Sequence, residues 1–288
     1  KAVTGSFLAA LREGIIPEIS VKQTLIITSI TAAPKGNIAF KVDDSVSNCI
    51  WSPREDLSNN YNYSHNVTIS NCTFEYVGNG NNSVVAIRHA MSGDVNWTIK
   101  NCVVKTGMFG LLQASKTNNL LIQDCEVNGA EGVNLNNSAN TTIKECTFNV
   151  TAYAVRTGAT NSGTESVELT LEDNTITSDN AAVILRASAP NVELNMSENV
   201  VKATTDIDAS GISDTKNVVI EADANYWGGE TAPKTSGKLD VDVDTYYTNE
   251  EKNDVEYGEN AVIVIGANTY ATLAKAIEAA NNMTGEVT

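Results

Sequence analysis

Short runs of alternating apolar and polar residues recur along most of this chain. The clearest is 66–74 (NVTISNCTF), where Val67 and Ile69 alternate with polar neighbours ahead of an Asn-Cys pair. Variants follow at 95–104 (VNWTIKNCVV), 119–127, 140–148, 166–176, 191–201 and 217–227. Alternation of period two with one apolar face predicts a half-buried strand in each run. The runs are rich in Thr, Asn, Val and Ile and poor in strong helix formers, which excludes a helical repeat. Aligned near their ends, they place Cys72, Cys102, Cys125, Cys146, Asn174, Asn199 and Asn225 at one register position, with Cys49 expected to precede them. The spacings from Cys49 onward are 23, 30, 23, 21, 28, 25 and 26 residues. A period of that size predicts stacked coils that each contribute a parallel strand, a solenoid.

A second strand follows within each coil and ends on a polar residue, as in 85–88 (VAIR), 110–113 (GLLQ), 133–136 (VNLN), 154–156 (AVR) and 183–186 (VILR); 38–41 (IAFK) fits the same slot. With Ile87, Leu112, Leu135, Val155 and Leu185 inward, alternation puts Lys41, Arg88, Gln113, Asn136, Arg156 and Arg186 outward in a single column. The ends are patterned differently. Residues 6–12 (SFLAALR) predict a short amphipathic helix that caps the open first coil. Residues 51–64, with Pro53, predict a long loop. The repeat stops after Trp227, a large ring placed to close the lower end of the core. The resulting division is a capped solenoid over 1–229, an acidic linker or edge segment over 230–258, and the start of a second module over 259–288, with a strand at 261–265 and a helix at 270–281.

Charge and cysteine usage narrow the function classes. With 19 Lys and Arg against 35 Asp and Glu the formal charge is −16, which disfavours nucleic-acid binding. No run approaches the roughly 18 apolar residues of a membrane helix, so no membrane insertion is expected, and the chain begins as though a leader had been removed. Five cysteines at solenoid spacing, with no C-x-x-C pair, predict a column of small buried thiols rather than a metal site or disulfide framework.

On the N-x-T-I-x-N-C-x-F runs and the inward Asn174, Asn199 and Asn225, the chain resembles the right-handed parallel β-helix of the pectate-lyase-like superfamily over roughly 15–229. The resemblance implies an all-β, right-handed parallel β-helix of about eight coils, with the asparagines stacked along a sharp bend. The close NYWGG, the acidic link and the start VIVIGANTYATLAKAIEAA are similar to secreted, multi-module surface proteins of gut bacteria, which implies a secreted or cell-surface bacterial protein. The fold hosts many functions and supplies none by itself. Asp43-Asp44 is the only paired aspartate, neither His65 nor His89 has flanking glycines, and the superfamily's calcium-dependent lyase signatures are missing. No catalytic residue carries over.

Candidate chemistry therefore rests on the residues themselves. The basic column suits the carboxylates and hydroxyls of an extended glycan; the competing account is arginines at strand ends that face solvent or pair with loop acids such as Glu131 and Asp179. Trp51, Tyr61 and Tyr63 are candidate sugar-stacking surfaces, whereas Trp97 alternates with Ile99 and is expected in the core. A lyase would use Arg88 against a uronate, His89 or a lysine as base and Ca²⁺ as electron sink, although adjacent strand residues point to opposite faces. Asp240, Asp242 and Asp244 are placed to hold Ca²⁺ or to form a solvated acidic edge. The expectation is a non-catalytic, monomeric, adhesin-like module that binds an extracellular polysaccharide or host glycan, or acts as a spacer, with no cofactor unless Ca²⁺. The alternative is a polysaccharide lyase or hydrolase acting on uronate-containing glycans through a non-standard active site.

Overall fold

A computed structural model describes residues 38–257 except 44, 46, 53–64, 80–83, 90–94, 116, 118, 137–139, 159–166, 187–190, 213–216, 230–231, 238–240 and 242; it also describes 25–27, 263–265, 268–270 and 277. The expected capping helix at 6–12, most of the loop at 51–64 and most of the helix at 270–281 lie outside the described residues. The body is an all-β parallel solenoid. Its first face is an eight-stranded parallel sheet from Leu25–Ile27 through His65–Ser70, Val95–Lys100, Asn119–Gln123, Asn140–Lys144, Val167–Glu172 and Asn191–Ser197 to Asn217–Glu221. Register is kept without slip, so Ile69, Ile99, Ile122, Ile143, Leu171 and Met196 stack inward in one buried row.

A one-residue corner follows each strand of this face from His65–Ser70 onward. Asn71, Asn101, Asp124, Glu145, Asp173, Glu198 and Ala224 all take φ between 52° and 60°. Left-handed backbone is tolerated by Asn and Asp and costs other residues about 1–2 kcal/mol, so Glu145, Glu198 and Ala224 are held there by the stacking on either side. The corner turns the next residue inward. Those residues are Cys72, Cys102, Cys125, Cys146, Asn174, Asn199 and Asn225, each no more than 1% exposed. All five cysteines of the chain are free. Each seam thiol lies within 3.1–3.3 Å of the carbonyl two residues earlier. Hydrogen bonding with Cys102 and Cys146, together with burial, holds the Cys125 thiol well above its usual pKa. Below Cys146 the seam is made of amides: Asn199 Oδ1 accepts from Asn174 N and Nδ2, both at 2.9 Å, and Asn225 Oδ1 accepts from Asn199 in the same way.

Cys49 does not belong to this seam. Ile38 pairs with Cys72 in register and Phe40 with Phe74, whose rings stack at 5.2 Å. Asn48-Cys49 resembles Asn71-Cys72 as a dipeptide, but Asn48 begins a strand instead of turning a corner, and Cys49 falls on the third face opposite Ala86. Burial pushes its thiol up to about 12.

The second and third faces share an eleven-stranded sheet. In the upper coils they are separate strands, as in Cys72–Tyr76 and Val85–His89. From Glu126–Asn136 onward, Thr147–Gly158, Thr175–Arg186 and Val200–Gly211 run unbroken across both. At the lower end Trp227 is fully buried in the same core cluster as Val243 and Tyr246. A parallel bridge joins Asn225 to Tyr246, and the hairpin of Thr245–Tyr247 with Val255–Tyr257 follows. The hairpin is pinned by Tyr247 OH to Glu198 Oε1 and by Lys252 Nζ to Asp173 Oδ1, both at 2.5 Å. Beyond it, Ile263–Ile265 pairs antiparallel with Asn268–Tyr270, so Tyr270 ends a strand instead of opening a helix, and Ile277 is helical.

Candidate functional site

The third face carries an outward column, but its membership differs from expectation. Arg88 pairs with Gln113, Gln113 with Asn134, Asn134 with Arg156, Arg156 with Ile184 and Ile184 with Asp208. Lys41 is not in it. Lys41 lies on the second face, where its Nζ and that of Lys105 flank Glu75 Oε2 at 3.3 and 3.7 Å; Trp51 holds the place beside Arg88. Asn136 and Arg186 stand two residues further on, opposite Gly158 and Gly211. Each of 133–136 and 183–186 offers two alternate apolar residues, and a slip of two keeps every side chain on its own face, so apolar patterning alone does not distinguish the registers. Arg156 and Arg186 are consequently not stacked as neighbouring like charges.

Other expected residues separate as follows. Tyr61, Tyr63, Asp240 and Asp242 lie outside the described residues, as does the Trp51 side chain. Asp244 is exposed, its N–H donating to Asp223 Oδ1 at 2.7 Å. Among the described residues no three His, Cys, Asp or Glu side chains converge as metal ligands. Arg88 is exposed, whereas His89 is 1% exposed with its ring 4.8 Å from that of the buried Trp97. The Arg88 and His89 pair required for proton abstraction from a uronate therefore faces opposite ways, and His89 is withdrawn from any surface substrate.

What the structure assembles instead is a notch at the bend between the second and third faces. Two consecutive residues turn inward there, Ala154-Val155 in one coil and Ala182-Val183 in the next, all fully buried. The chain dips toward the core at this point, and the outward residues on either side of the dip close toward one another. Gly132 allows the dip: a Cβ there would meet Ala154 O at 2.2 Å and the Phe148 ring at 2.9 Å. Tyr153 (3% exposed), Ala181 (2%) and Ile184 (8%) are buried in a small cluster apart from the main core. Two register rows line the notch, one of Glu131, Tyr153, Ala181 and Thr205 and one of Asn134, Arg156, Ile184 and Asp208.

The polar atoms of this notch are incompletely satisfied. The Arg156 guanidinium carbon sits 5.0 Å from the Tyr153 ring centroid, a cation–π contact that fixes the side chain. Asn134 Oδ1 and Arg156 Nε are buried without a hydrogen-bond partner. Burial, followed by hydrogen bonding to the Glu131 carboxylate, raises the Tyr153 pKa far above its ordinary value, so this hydroxyl keeps its proton and serves as a donor rather than a base. A buried polar atom left unpaired costs about 1–3 kcal/mol, and here an acceptor and a donor are left so on residues paired in register. Sequence reasoning found Arg156, named Glu131 only as a loop acid that pairs with arginine although it lies within the strand Glu126–Asn136, and missed Tyr153 and the outward places of Asn134 and Ile184. The signal was present in the doubled inward pairs Gly132-Val133, Ala154-Val155 and Ala182-Val183, which break the alternation at the same place in three coils.

Fold and notch define a parallel β-solenoid with a recess on its outer surface at a strand bend. The chain belongs to the right-handed β-helix family: the family model described as "Right handed beta helix region" matches residues 59–223. Neither the curated proteins nor the solved structures contain a match to it. Among the described residues no helix is long and apolar enough to cross a membrane.

Proposed function

We propose that this chain is a non-catalytic, extracellular carbohydrate-binding module, carried on a secreted or cell-surface bacterial protein and acting as a monomer, with the notch as its sugar site. The observation that carries the reading is the pair of buried, unpartnered polar atoms on Asn134 and Arg156, next to the Tyr153 hydroxyl and the apolar Ala181 and Ile184. A sugar ring presents hydroxyls that both donate and accept, together with an apolar C–H face, and matches that combination. Arg88 and Gln113 extend the site upward along the column, and Thr205 and Asp208 extend it downward.

Screening the chain against arrayed extracellular polysaccharides and host glycans tests this. Binding is expected for wild type and is expected to weaken about 10- to 100-fold in Arg156→Ala, the loss of one charged hydrogen bond. An array blank for wild type rejects the glycan reading and leaves a spacer. Incubation with uronate-containing polysaccharide, with and without Ca²⁺, is expected to give no unsaturated product, because His89 is buried away from the exposed Arg88.

A further inference from the structure

On the second face, a cleft of about 580 Å³ opens between the lowest coils and the segments that close the solenoid. This open depression is lined by Ser178, Lys202 and Tyr226 from successive coils, by Lys234 and, on the hairpin turn, by Glu250. That volume suits a small ligand or one substituent of a larger one. In a chain of formal charge −16, two lysines line it together with Asp179 and Glu250.

The two lysines are held differently. Lys234 is fixed through its backbone: its N–H donates to Asp206 Oδ2 at 2.8 Å and its carbonyl accepts from Asp206 N at 2.8 Å. Its Nζ has a carbonyl contact, Ala203 O at 3.4 Å, and no carboxylate partner among the described residues. Lys41 and Lys105, by contrast, share Glu75, and Lys252 bridges Asp173 and Glu198. Lys202 is paired, with Glu250 Oε1 at 2.5 Å, but both side chains are more than 40% exposed. Glu250 thus places an anion over the cleft from a separate element. Ser178, 5% exposed, accepts from Asn180 N at 3.3 Å and retains its hydroxyl proton for a ligand.

We propose that this cleft binds a sulfate-ester group, with Lys202 and Lys234 as its contacts and Glu250 as a built-in competitor for Lys202. Ammonium groups bind an oxyanion as point charges and suit a sulfate ester, whose oxygens offer several acceptors around one sulfur. Asp179 also borders the cleft, so a group of charge −1 is preferred over a phosphate ester, which carries about −1.5 to −2 at neutral pH. The site does not depend on the glycan reading of the notch.

Calorimetric titration at fixed ionic strength with a 6-sulfated monosaccharide, its 6-phosphate counterpart and the unmodified sugar tests the proposal. The sulfated sugar is expected to bind, the phosphate more weakly and the parent sugar not at all. Glu250→Gln is expected to tighten binding by up to about fivefold, the range of an exposed ion pair, and Lys202→Ala/Lys234→Ala to abolish it with an unchanged circular dichroism spectrum. Arg156→Ala is expected to leave sulfate binding intact even where it removes glycan binding. Equal behaviour of sulfated and unmodified sugar, phosphate binding at least as tightly as sulfate, no gain in Glu250→Gln, or loss in Arg156→Ala would each overturn the assignment.

Discussion

Asn199 shows how much structure one side chain can hold. Its Oδ1 takes two hydrogen bonds from Asn174, and its Nδ2 lies within reach of Leu171 O at 2.8 Å, Ser197 O at 2.9 Å and Asn225 Oδ1 at 2.8 Å. Removing it leaves buried groups unpaired in both neighbouring coils, whereas removing a seam thiol loses mainly packing. Asn199→Ala is accordingly expected to destabilise the chain by about 3 kcal/mol or more and Cys125→Ala by about 1 kcal/mol, a ranking that urea denaturation measures directly. The seam was legible in the sequence because an Asn or Cys that recurs at one register position, just after an alternating apolar run, marks a side chain turned inward and stacked on its copies. Tyr153 was not. Nothing local marks a tyrosine that points away from the core yet is covered on the outside, since its burial depends on how two coils bend.

At the scale of elements, the strands of the first face could be placed by pattern and those of the third face could not. The first-face strands end at a corner residue with left-handed φ, and that fixes their phase. The third-face strands have no such marker, so the two-residue ambiguity in 133–136 and 183–186 is resolved only by the dip at Ala154-Val155. The same absence put Ile38–Val42 in the wrong slot and Cys49 in the seam. The closing hairpin brings a measurable consequence. Its hydrogen bond to Glu198, followed by burial, raises Tyr247 from its usual value near 10 to about 12. A proton held more tightly in the folded state stabilises fully below the unfolded pKa, and that stability is lost as pH rises through the folded one. Urea midpoints are therefore expected to fall between about pH 10 and pH 12, and Tyr247→Phe to lessen the decline.

For the whole molecule, the repeat indicated a body of stacked coils and the direction in which they stack. How the lower end is closed was legible only in part: Trp227 stood out as a terminal ring, but the covering Val243 and Tyr246 sit in a stretch that is polar and acidic by composition. We propose that the solenoid as a folding unit extends to Tyr257 and that a separate module starts beyond it. A chain ended at 257 is then expected to keep the thermal midpoint of the full chain, and one ended at 229 to lose several degrees and self-associate, because Trp227 and the last coil are left open. Thermal scans with light scattering separate the outcomes; a 229-residue chain as stable and monomeric as the longer one would remove the hairpin's role.

The change from thiols to amides down the seam makes the body mechanically uneven. Every corner carries a backbone hydrogen bond to the next coil, but the inward seam adds only weak sulfur contacts above Cys146 and neutral amide bonds that link successive coils below it. In a stack whose cohesion is the sum of nearest-neighbour terms, a lengthwise pull yields first among the upper coils and is arrested at Asn174. The lower coils, which carry the bend residues from Tyr153 to Asp208 between them, stay folded while the upper ones pay out as slack.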